Sequence, residues 1–87
     1  MQHAVMAALF GDREDPRRRL AALFDSDVPA SGRPPEPALR WADGVLGGPD
    51  APARRNEVVA IRALRTAEPR LTLRAARFLA HHALQRA

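Results

Sequence analysis

Apolar residues fall along this chain in short blocks cut by proline, glycine and aspartate, and within each block they recur at helical spacing. The first block, His3 to Phe10, is stopped by Gly11 and the polar run Asp12 to Asp15, and reads as a first helix. Asp15 then stands at an N-cap, with Pro16 at the first helical position, where a missing N–H removes no bond. Leu20, Leu23 and Phe24 share one face of this second helix. Residues 25–36 carry Pro29, Ser31, Gly32, Pro34 and Pro35, a composition that cannot continue a helix and reads as a Pro/Gly loop or hinge. A third helix follows from Pro37 to Leu46. Leu39, Ala42, Val45 and Leu46 repeat at helical spacing, Trp41 flanks that stripe, and Gly47 with Gly48 provides the stop.

Asp50 is the expected cap of a fourth helix running from Ala51 to Ala67, which must end before Pro69 because the residue preceding a proline is pushed out of the α region. On a helical wheel Val59, Ala60, Ile61, Ala63, Leu64 and Ala67 form one broad face, with Arg54, Arg55, Arg62 and Arg65 opposite. The fifth helix, Leu71 to Arg86, is apolar over more than half its circumference (Leu71, Leu73, Ala76, Phe78, Leu79, Ala80, Leu84). Its polar stripe is narrow, Arg74, Arg77, His81 and Gln85, so it is expected to sit centrally. No stretch alternates as a strand does, and no internal repeat is present. The pattern predicts an all-α fold: a small bundle of about five short helices in a single domain, 1–87, with 51–67 and 71–86 forming the main hairpin. Residues 1–24 read as an N-terminal helical arm.

Composition makes this core thin. Of 87 residues 46% are hydrophobic, but 18 of those are alanines, which contribute little buried area each. Alanine permits close helix approach, yet so few large apolar anchors leave a core that a partner chain or self-association would complete. Absence of cysteine rules out disulfides and thiolate metal sites. The apolar run Ala4 to Phe10 has no Lys or Arg before it and acids after it, which makes a poor signal peptide. No stretch reaches the roughly 18 apolar residues of a membrane span, and a cytoplasmic location is the expectation.

Charge adds a second possibility. The chain has a net charge of +4, and all of its 14 basic residues are arginine. With so much alanine, proline and glycine, this looks like the codon bias of a GC-rich genome, which weakens arginine enrichment as a signal. Placement is more telling: residues 1–33 hold five Arg and five acids, whereas 34–87 hold nine Arg and five acids. Arg54, Arg55, Arg62, Arg65, Arg70, Arg74 and Arg77 could therefore form a phosphate-contacting patch if their stripes adjoin. Glu57 and Glu68 interrupt them, exposed aromatics are few, and a helix-turn-helix register over 58–80 puts Pro69 in the turn and polar Arg74 at a position that should be buried.

Catalytic chemistry has little to work with. Ser26 and Ser31 both lie in the loop, and no Gly-x-Ser-x-Gly elbow occurs. His81 and His82 point about 100° apart on a helix and cannot chelate one ion, so the first is expected to be solvated and the second partly buried. Asp25-Ser26 lacks the helix start and acidic context of a carrier-protein phosphopantetheine serine. Arg33, Pro34, Pro35 and Pro37 form a plain polyproline-type linker, and Gly47-Gly48-Pro49 lacks the spacing and lysine of a phosphate loop. No catalytic, metal or cofactor-binding residue is named, and no small-molecule substrate is inferred.

These observations point to a non-enzymatic helical protein–protein interaction module, a small regulator, adaptor, chaperone or assembly component, binding another chain or itself. The first helix has no polar face, and Met6, Leu9 and Phe10 are its anchors; Leu20, Leu23, Phe24 and Trp41 extend the expected partner-binding surface. The alternative is a nucleic-acid-binding protein, a DNA-binding regulator or RNA binder, using the arginine stripes.

Overall fold

In the computed structural model, which describes residues 15–86, Asp15 starts the first element as its side chain predicts: Oδ1 accepts the Arg17 amide at 3.0 Å, and Pro16 occupies the first turn. The expected helix at 3–10 lies outside the described residues. Helix α1 (Pro16–Leu23) ends at Phe24, and Asp25 then turns through φ +49°. The loop that follows closes on itself through Gly32 N–H to Pro29 O at 3.3 Å, and it ends on buried Pro34 and Pro35. Helix α2 (Glu36–Leu46) stops at Gly47, whose φ of +88° suits glycine alone. A Cβ there would also come within 3.1 Å of the Ala51 methyl.

The single helix expected over 51–67 is two. Helix α3 (Pro52–Arg55) is one turn, and α4 (Glu57–Ala67) starts anew at Asn56, which adopts extended backbone angles. Asparagine is the cause: its Oδ1 accepts the amides of Val58 at 2.9 Å and Val59 at 3.3 Å, so the side chain offers the backbone a fresh N-terminus. Asp50, the expected cap, makes no such bond; Ala51 holds the capping position of α3 without a side-chain acceptor. Helix α5 (Leu73–Arg86) likewise begins two residues later than expected, because the Thr72 hydroxyl accepts the Ala75 amide at 3.0 Å and leaves Leu71 buried in the joint.

Described residues contain these five helices and no strand, an all-α bundle as expected. Helices α4 and α5 form the main antiparallel hairpin, and α5 also packs against α1 and α2, which makes it the central element. One buried cluster draws on all five helices. Its large members are Leu20, Leu39, Leu46, Leu64, Leu71 and Leu79, and alanines such as Ala38, Ala42, Ala60, Ala76, Ala80 and Ala83 fill the rest. With methyl groups at most contact points the helices interlock through a few leucines, and each of those carries a large share of the burial energy.

Candidate interaction face

Breaking the helix at Asn56 changes which way Arg54 points. On a continuous helix Arg54 would share the outward stripe of Val58, Ile61 and Arg65; instead its side chain is only 10% exposed. Arg54 Nε donates to Gly47 O at 2.9 Å, Nη1 to Ala83 O at 3.4 Å, and Nη2 to Asp43 O and Oδ1 at 3.4 and 3.3 Å. One guanidinium thus gathers the Gly47 and Ala83 carbonyls, and shares the Asp43 carbonyl with the Gly47 amide, at the C-terminal ends of α2 and α5, where a cation also suits the helix dipoles. Arg86 completes the cluster with Glu36 at 2.8 Å and Asp43 at 3.4 Å, and its hydrogen bond holds the Glu36 carboxyl below the usual range. The adjoining cleft of about 440 Å³ therefore has its cations already matched by acids and carbonyls.

Arg54 was expected on the phosphate-contacting surface, and burial removes it. Arg70 is engaged by Glu68, with Nε and Nη2 at 3.0 and 2.8 Å, and these bonds lower the Glu68 carboxyl to about 2. Arg55 stands 3.8 Å from Asp50. Arg65 is exposed, though its Nε reaches back to Leu71 O at 3.3 Å and ties the end of α4 to the joint. Arg62, Arg74 and Arg77 are also exposed, and neither Arg62 nor Arg77 has an ion-pair partner among the described residues.

The expected protein-binding anchors are redistributed as well. Leu20 is fully buried in the chain's own core and unavailable to a partner. Leu23, Phe24 and Trp41 are half-buried against that core, and Phe24 and Trp41 occupy each other, with ring centroids 5.2 Å apart and planes tilted by 53°. A thin core needs its aromatics internally, which is why they pack there. Met6, Leu9 and Phe10 lie outside the described residues.

The most exposed large apolar residue among those described lies on α4, with Val28 in the loop and Leu73 on α5 less open. Val58 is 63% exposed and Val59 36%, while Ile61, half-buried, joins Val58, Arg62, Arg65 and Thr66 in lining a shallow groove of about 340 Å³. Sequence reading missed Val58, although the signal was there: with Asn56 as the cap, Val58 falls four and seven residues before Arg62 and Arg65, an apolar residue on the polar side of its helix. Leu73, assigned to the buried arc of α5, is 42% exposed for the related reason that Thr72 places it in the first turn, at the rim of the bundle.

His81 and His82 behave as expected. His81 is exposed, with Nδ1 3.9 Å from Glu57 Oε1, and His82 is half-buried against the edge of Phe78 at 4.8 Å. Burial, then the nearby His81 and Arg33 charges, lower the His82 imidazole below its usual 6.5. Folding therefore favours the neutral ring, a contribution fully present above pH 6.5 and lost as pH falls through the lower folded value. Thermal melts from pH 7.5 to 5 are expected to show a decline in Tm below pH 6.5 that is smaller in His82→Gln; equal declines would contradict it.

Both loop serines are occupied locally: the Ser26 hydroxyl donates to Asp27 O at 3.2 Å, and Ser31 Oγ accepts the Arg33 amide at 3.3 Å. Among the described residues no group of three His, Cys, Asp or Glu could hold a metal, and no helix is long and apolar enough to cross a membrane. No protein-family model, curated protein or solved structure matches the chain.

Proposed function

We propose that this chain is a non-enzymatic helical interaction module, an adaptor, regulator or assembly component, that docks another protein on the outward face of α4. The observation that carries this reading is Val58, a β-branched residue 63% exposed in the first turn of a well-capped helix and lining a groove with Ile61. A chain with so few large apolar residues has most of them enclosed in its own core, so one left open beside a groove costs solubility without adding stability. Helix faces of this kind receive apolar anchors from partner chains.

Nucleic-acid binding is the second reading, and Arg62 with Arg77, which lack ion pairs among the described residues, favour it. It is weakened by the internal use of Arg54, the pairing of Arg70 with Glu68 and the Asp50 carboxylate beside Arg55, which leave Arg62, Arg65, Arg74 and Arg77 of the expected stripe, few for phosphate-driven affinity.

A photo-crosslinking residue placed at position 58, with position 85 on α5 as the control, tests the proposal in cells. Discrete protein adducts from position 58 and none from 85 are expected. No protein adduct from 58, or adducts with nucleic acid instead, would refute it.

A further inference from the structure

The cations and apolar residues around the α4 groove alternate along its length in a way that specifies what fits there. Two contacts set the register of the hairpin: His81 beside Glu57, and Arg65 reaching the Leu71 carbonyl. Helices α4 and α5 run antiparallel between those points, so Ile61 stands about level with Arg77, and Arg65 about level with Leu73. The face accordingly begins at an apolar end, Val58 with Ile61, passes a cationic middle formed by Arg62, Arg65 and Arg77, and reaches a second apolar position at Leu73, 42% exposed. Seven residues of α4 separate the levels of Val58 and Leu73, about 10 Å of helix rise.

The carboxylate of α4, Glu57, and that of its C-cap residue, Glu68, lie off the middle of this face, and α5 has none. Glu57 sits at its edge beside His81, and Glu68 is held by Arg70. A second copy of the chain is thus a poor occupant, because antiparallel α4 pairing about a twofold axis near Ile61 would bring Arg62 and Arg65 against their own counterparts with no acid between them. Nucleic acid would neutralise the cations but leave Val58, Ile61 and Leu73 with nothing apolar to cover them.

We infer that the α4 face recognises an acidic amphipathic helix of a partner protein, with apolar anchors about two turns apart (i and i+7) and Asp or Glu in the intervening turn (i+3, i+4). The anchors cover Val58 with Ile61 at one end and Leu73 at the other, and the carboxylates meet Arg62 and Arg77. This rests on the reading of α4 as a protein-docking face and adds the chemistry of the partner.

The test is a titration of the isotope-labelled full chain, by amide chemical shifts and fluorescence anisotropy, with four probes. These are a 16-residue helical peptide with Leu at i and i+7 and Glu at i+3 and i+4, the same peptide with Lys for Glu, the same with Ala for Leu, and a 20-base-pair DNA duplex. The Leu/Glu peptide is expected to bind with a Kd of about 100 μM or tighter, shifting Val58, Ile61, Arg62 and Leu73, with both altered peptides at least about tenfold weaker. In Arg62→Glu/Arg77→Glu, two exposed substitutions, the preference should invert toward the Lys peptide. Equal binding of the Glu and Lys peptides would overturn the acidic specificity while leaving protein docking on α4 intact, as would a concentration-dependent dimer that shifts the same amides. Binding of none of the peptides would overturn the inference alone; salt-sensitive binding of the duplex at these residues, without the peptides, would overturn both it and the docking reading.

Discussion

Leu79→Ala is expected to destabilise the fold by about 3 kcal/mol and to lower Tm by about 15 °C. Leu79 is fully buried on α5, the helix that packs against α1, α2 and α4. Its neighbours along the buried face are Ala75, Ala76, Ala80 and Ala83, which have no side chain long enough to swing into the vacated volume. The cavity therefore stays open and adds its own cost to the lost transfer free energy of the removed methyl groups. A domain of this size has only about 5 to 10 kcal/mol in total, so the variant would sit near its unfolding midpoint in dilute denaturant. Urea unfolding followed by circular dichroism measures the change. Leu73→Ala, at the exposed end of the same helix, should stay within about 0.5 kcal/mol, and equal losses at the two sites would show that α5 is not the element around which the others pack.

Arg54→Met should cost about 2 to 3 kcal/mol. Methionine keeps most of the stem's packing but leaves the carbonyls of Gly47 and Ala83 short of a donor at helix ends that are partly closed to water, while Asp43 O keeps the Gly47 amide. Arg54→Lys should recover less than half of that loss, since an ammonium cannot reach in three directions as the planar fork does. Arg55→Met, one residue on and 72% exposed at the side chain, should leave stability unchanged. Denaturant midpoints for the three variants decide the matter: if the Arg54 and Arg55 variants coincide, the Arg54 hydrogen bonds contribute nothing and α3 is held by Ala53 alone.

Both predictions concern residues whose roles were unequally visible in advance. Leu79 belongs to an arc covering more than half of its helix, and a helix apolar over that much of its surface has to be covered on several sides. Its central position follows from periodicity alone. Arg54 gave no such sign, because one side chain, Asn56, reversed its direction. The run from 51 to 67 looks like one helix, with Pro52 tolerated in its first turn, and the competing reading, an asparagine that accepts the amides two and three residues on, depends on a difference of about 1 kcal/mol between two local hydrogen-bonding schemes. The Arg54 hydrogen bonds to Gly47, Ala83 and Asp43 tip it, since an unbroken helix would turn that side chain outward with Val58 and Arg65.

The interaction face divides the same way. Leu20, Leu23, Phe24 and Trp41 were reasonable anchors on hydrophobicity, yet a chain with 18 alanines has few large side chains and folds by using those few internally. What is left outside is a remainder, and a remainder depends on how every other surface has been satisfied.

Linear order was enough to establish the helical class, the caps at Asp15 and Gly47, the pairing of the last two helices and the alanine-rich core, because each follows from contacts within about four residues or from a repeating pattern. The assembled fold alone settled that Arg54 serves helix ends rather than the surface, that Phe24 and Trp41 stack on each other, and that Val58 and Leu73 remain open. Those outcomes depend on which faces of distant helices meet, and that is a competition for burial among all the segments at once, one that local spacing does not resolve.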